Sequence, residues 1–112
     1  MKLTNPNSNT ETHNLVINIM LVDFSNQFPP IMLRVIPTNS EHLKLENSQL
    51  LEWAFKQFNH EGDYEYTLIM SSTTRDPKTL RSLSIGDMVS INRINSPVKA
   101  FKCMPEGWQT LI

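Results

Sequence analysis

From Leu15 to Val22 the chain is apolar at every position except Asn18, and much of the run is β-branched. That pattern predicts a strand covered on both faces, or nearly so, in the middle of a sheet. Asp23 to Pro30 carries turn residues and the Pro29-Pro30 pair, and a second apolar run, Ile31 to Ile36, stops at Pro37. The two runs read as an antiparallel hairpin with a long connection, and Phe24 and Phe28 within it are expected to fold back onto the core.

After a polar stretch from Thr38 to Glu46 the period changes. Leu50, Leu51, Ala54, Phe55 and Phe58 recur at helical spacing, so a helix is predicted from Ser48 to about Asn59 with Asn47 as its N-cap. Its apolar stripe faces the sheet, while Glu52 and Lys56, four residues apart, face solvent. Trp53 points about 130° away from the centre of that stripe at ~100° per residue. It is therefore expected to be at least partly exposed, either covered by a neighbouring loop or tail or displayed as an interface anchor.

His60-Glu61-Gly62-Asp63 ends the helix, and Tyr64 to Ile69 has the aromatic and β-branched content of a strand with Tyr64, Tyr66 and Leu68 on one face. Ser71 to Lys78 reads as a polar loop. Ser84-Ile85-Gly86-Asp87 makes a tight turn, because Gly tolerates positive φ and the Asp carboxylate can accept backbone N–H bonds. Met88 to Asn92 and Val98 to Cys103 then form a hairpin around Asn95-Ser96-Pro97, and Trp108 to Ile112 closes the chain as a short strand. The fold class expected is α+β: a mostly antiparallel sheet of five or six strands with one main amphipathic helix packed on it. Residues 1–14, Asn-rich and punctuated by Pro6, read as a flexible tail ahead of a single domain over 15–112.

Composition agrees with one globular domain: 112 residues, 39% hydrophobic and 19% charged. Cys103 is the sole cysteine, which excludes an internal disulfide or a paired-cysteine zinc site and fits a reducing, cytoplasmic setting. The first residues lack the apolar core of a signal peptide, and no apolar run approaches the length of a membrane span. The formal charge is −1, but it is unevenly spread. Residues 1–74 hold four basic and eight acidic side chains, and residues 75–112 hold six basic and three acidic. The C-terminal third could therefore attract an acidic partner.

Catalytic signatures are lacking. His13, His42 and His60 stand far apart in polar segments, in no metal-ligand spacing, and read as surface histidines. Cys103 reads as a buried small hydrophobe, since alternation points its neighbour Lys102 to the opposite face. Three dispersed glycines cannot build a phosphate-cradling loop. No enzyme, cofactor or metal is expected.

The C-terminal half resembles the YodL-like domain, a small module of bacterial conjugative elements and related mobile DNA. The likeness covers residues 48–112: Leu51-Glu52, Phe55 and Phe58-Asn59 on the helix, then Arg81-Ser82-Leu83-Ser84 with Asp87 before a hydrophobic strand, then Phe101, Cys103 and Gly107-Trp108. It departs in a longer connection between Asn59 and Arg81 and in Gly86, where serine is common. The resemblance implies a setting in a phage, plasmid or other mobile element or its bacterial host, and brings no catalytic residues. The expected function is a protein-binding accessory factor, such as an inhibitor of a host defence system, that contacts its partner through Trp53, Arg81, Arg93, Lys102 and Trp108. The alternative is a small nucleic-acid-binding barrel of the PUA or ASCH kind, with Arg81, Arg93, Lys99 and Lys102 flanking the aromatic Phe101 and Trp108.

Overall fold

In the computed structural model, which describes residues 13–25, 27, 29–70 and 81–112, the apolar runs become six strands. They are β1 (Leu15–Leu21), β2 (Ile31–Pro37), β3 (Tyr66–Met70), β4 (Met88–Arg93), β5 (Lys99–Met104) and β6 (Gly107–Thr110). All pair antiparallel in the order β3-β2-β1-β4-β5-β6. β1 is central, as its composition predicts, with Ile17 opposite both Val35 of β2 and Ile91 of β4. β3 and β6 are the outer strands at opposite ends and, among the described residues, do not pair with each other, so the sheet is open rather than closed into a barrel.

Between β2 and β3 lie a short 3-10 helix, Ser40–Lys44, and one α-helix, α1 (Asn47–Gln57). The N-cap of α1 is Glu46 rather than Asn47. Gln49 reaches back to accept the Glu46 N–H at 2.9 Å, one half of a capping box, and this sets the helix start one residue earlier than expected. Asn47 serves elsewhere: its Oδ1 accepts Arg93 Nε and Nη2 at 3.2 and 3.0 Å.

The core fills the space between α1 and one face of the sheet. Leu50, Leu51, Ala54 and Phe58 pack on Leu15, Ile17, Ile19, Leu33, Val35, Val89 and Ile91, with Leu83 entering from the segment before β4. These strand residues share the parity that alternation assigns to one face. The other parity, which includes Val16, Asn18 and Met20 of β1, faces away from α1. Among the described residues no helix covers that second face. β1 was expected to be covered on both faces or nearly so, and its burial agrees: on the second face Val16 is buried and Asn18 and Met20 are half-buried.

Three aromatic residues correct or bypass the expectations. Trp53 is only 8% exposed, because the 3-10 helix lays His42 against its ring at 4.7 Å and Tyr66 meets it edge-on at 5.9 Å. The helical wheel places Trp53 off the stripe correctly, but a polar segment folded beside α1 builds a second wall there. Phe24 does not return to the core; it is 60% exposed and lies under the Arg81 guanidinium at 4.5 Å. Phe28, like the loop Ser71–Lys78 and most of the tail, falls outside the described residues.

Candidate functional site

The Gly86-Asp87 turn is built as its residues require, with Gly86 at φ +97°. Asp87 does far more than cap the turn. Its carboxylate is fully buried and accepts Ser84 N–H at 2.8 Å, Val22 N–H at 2.9 Å, and the two terminal nitrogens of Arg81 at 2.7 and 2.6 Å. Arg81 Nη2 also donates to the Val22 carbonyl at 2.6 Å. One carboxylate and one guanidinium thus lock the end of β1 to the segment that launches β4. The hydrogen bonds to Asp87, outweighing partial burial, hold Arg81 above the usual arginine range.

The five residues proposed for partner contact do not share a surface. Trp53 is walled in on the helix side. Arg81 is committed to Asp87 and Val22. Arg93 clamps the entrance to α1, donating to the carbonyls of Leu43 and Leu45 as well as to Asn47. Trp108 is half-buried on the helix side, meeting Phe55 edge-on at 6.5 Å. Lys102 lies on the second face, where it stands opposite Met88.

That second face is the largest feature that sequence reading passed over. Register places Met32, Met20 and Met88 directly beside one another on β2, β1 and β4, with Lys102 next on β5. Ile69 on β3 and Met104 on β5 add exposed apolar surface at the flanks. A sheet whose outer face is simply solvated alternates apolar-in with polar-out. Here the outward positions of β1 to β5 mix methionine, isoleucine, valine and alanine with Asn18, Arg34, Thr67, Ser90, Asn92 and Lys102. Asn18, Arg34 and Asn92, with Val16, line a depression of about 300 Å³ beside the methionine row. The outward positions of the six strands include Arg34 and Lys102 and no Asp or Glu. The signal for this face was available in the spacing of Met20, Met32 and Met88, but it needs the register between strands to bring them together.

A second cluster lies at the far side of α1. His42 was read as a surface histidine, but it is 8% exposed, and its Nε2 stands 3.4 Å from Asp63 Oδ2. Trp53 Nε1–H donates to the same oxygen at 3.3 Å, and Glu65 N–H donates to Asp63 Oδ1 at 2.9 Å. Burial opposes ionisation of Asp63, yet the Glu65 amide, the Trp53 indole and His42 together hold its pKa below the usual carboxylate value.

Cys103 is buried on the helix side as expected. Burial pushes its thiol pKa up, helped by the negative charges of Asp87 and Glu52. Alkylation of the native protein at pH 8.5 should therefore run at least about tenfold slower than alkylation of free cysteine. Denaturant should abolish the difference; native-state labelling as fast as free cysteine would refute the assignment.

No family model, curated protein or solved structure matches this chain. Among the described residues, no helix is long and apolar enough to cross a membrane.

Proposed function

We propose that this protein is a non-catalytic binding module that docks an acidic amphipathic segment of a partner protein on the second face of its sheet. The observation that carries the reading is the methionine row Met32-Met20-Met88 running into Lys102 on a face that no described helix covers. Methionine is flexible and polarisable and is over-used at surfaces that accept apolar side chains of varied shape. Strands spaced about 4.8 Å apart make a face roughly 24 Å wide, the length of a helix of about 16 residues. One further helix would complete a second layer, which is the usual way an apolar sheet face is buried. Lys102 at the end of that row favours an occupant whose polar side is acidic.

The resemblance to the YodL-like domain supports a setting in a mobile element, phage or its bacterial host. There the module would act as an accessory factor, for instance against a host defence system. A nucleic-acid partner is the less favoured reading: the sheet is open, and two of the four basic residues invoked for it, Arg81 and Arg93, are hydrogen-bonded inside the fold.

The test is to install a photo-crosslinking residue at Lys102 and compare the native chain with the double variant Met20→Glu, Met88→Glu. Expected are a cross-linked segment that is acidic and amphipathic, and loss of the cross-link in the double variant with the melting temperature little changed. Cross-linking that survives both substitutions, or that captures nucleic acid, would remove the reading.

A further inference from the structure

His42, Asp63 and Glu65 converge beyond anything that the docking face requires. The donor atoms of the three side chains lie within 4.8 Å of one another, and the imidazole belongs to a buried residue while the two carboxylates face solvent. Asp63 and Glu65 stand two residues apart ahead of β3, on either side of Tyr64, whose left-handed backbone at φ +59° kinks the segment. The 3.4 Å between His42 Nε2 and Asp63 Oδ2 equals the edge of a tetrahedron around an ion with bonds of about 2.1 Å. Glu65, on an exposed side chain, offers the third donor within the same 4.8 Å.

Two further observations separate this from an ordinary surface ion pair. His42 Nδ1 is buried and makes no hydrogen bond, while Nε2 is the nitrogen turned to the Asp63 carboxylate. A cation bound at Nε2 would release the proton that the ring presents to Asp63, as metal binding at histidine does. Both carboxylates are also steadied by a neighbour, as ligating carboxylates usually are: Asp63 Oδ1 by the Glu65 N–H at 2.9 Å and Glu65 Oε2 by Asn39 Nδ2 at 3.1 Å.

We infer that His42, Asp63 and Glu65 form a three-ligand site for a borderline divalent cation of the Zn²⁺ class, with water completing a tetrahedron. One nitrogen and two oxygens suit zinc better than Mg²⁺ or Ca²⁺, which favour all-oxygen shells of six or more. The ion would pin the 3-10 helix to the segment ahead of β3 and cover one side of Trp53. The site lies on the helix side of the sheet, so it stands or falls independently of the docking face.

The experiment titrates Zn²⁺ into the untagged chain and follows its melting temperature, then repeats the titration with Co²⁺ and reads the visible absorption of the bound ion. Asp63→Asn and Glu65→Gln are compared with the surface control His60→Gln. The expected result is a rise in melting temperature with Zn²⁺ and an N/O-ligated Co²⁺ spectrum, with affinity weakened at least about tenfold in both site variants and unchanged in the control. Glu65 is exposed, so its variant folds and keeps the test decisive even if Asp63→Asn is unstable. No binding at millimolar Zn²⁺, or binding that Glu65→Gln leaves intact, would overturn the site.

Discussion

Asp87→Ala should destabilise the protein by about 3–5 kcal/mol, the cost of stripping one partner from a buried ion pair. The substitution leaves the Arg81 guanidinium facing a pocket shaped for a carboxylate. It also orphans the Val22 and Ser84 N–H groups, which Asp87 alone satisfies among the hydrogen bonds described for them. Asp87→Asn keeps the shape and some acceptor capacity but not the charge, and should cost less. Arg81→Met should fall in the same range as Asp87→Ala, since it abandons a carboxylate with no exposure at all. Chemical denaturation of the single variants and of the Arg81→Met, Asp87→Ala double variant measures the coupling. Near-additive costs would show that the pair does not act as a unit.

That pair also marks the limit of what could be read from the chain. The Ser84-to-Asp87 turn was legible because its chemistry is local: Gly at the positive φ and Asp accepting the Ser84 N–H. The link from Asp87 to Val22 spans 65 residues and has no local signature. Strands and the α1 stripe were legible for the same reason as the turn, since periods of two and 3.6 are written in neighbouring residues. Cys103 and Lys102 fell on opposite faces by the same alternation. Arg93 shows the converse. Its sequence neighbourhood suggested a basic contact surface, but the fold spends it on the carbonyls ahead of α1, because β4 ends beside the helix entrance.

The methionine face was hidden for a different reason. An apolar run such as Leu15–Leu21 looks alike whether both faces are covered or only one. Deciding between them requires knowing how many layers the chain itself can supply. With α1 and the 3-10 helix both on one side, no described helix covers the other, where Met20 and Met88 stand half-buried. His42 was misread through the same dependence on tertiary context. A polar segment gives no hint that it will be laid against a tryptophan ring, and only the Asn39 side chain capping Glu41 N–H at 2.9 Å marks where the 3-10 helix starts.

Trp53→Ala should lower stability by about 3–5 kcal/mol, as for other buried tryptophans truncated to alanine. The indole fills the space between His42 and Tyr66, and its N–H binds Asp63, so truncation opens a cavity and frees both the 3-10 helix and the segment leading into β3. Trp53→Phe keeps much of the ring packing while deleting the hydrogen bond and should cost about half as much. Because this tryptophan lies on the helix side, partner capture by the folded Trp53→Phe variant should match that of the native chain, measured at a temperature where both are fully folded. Unchanged stability in Trp53→Ala together with lost capture would return Trp53 to the role of an interface anchor and move the docking surface from the methionine row to the helix side of the sheet.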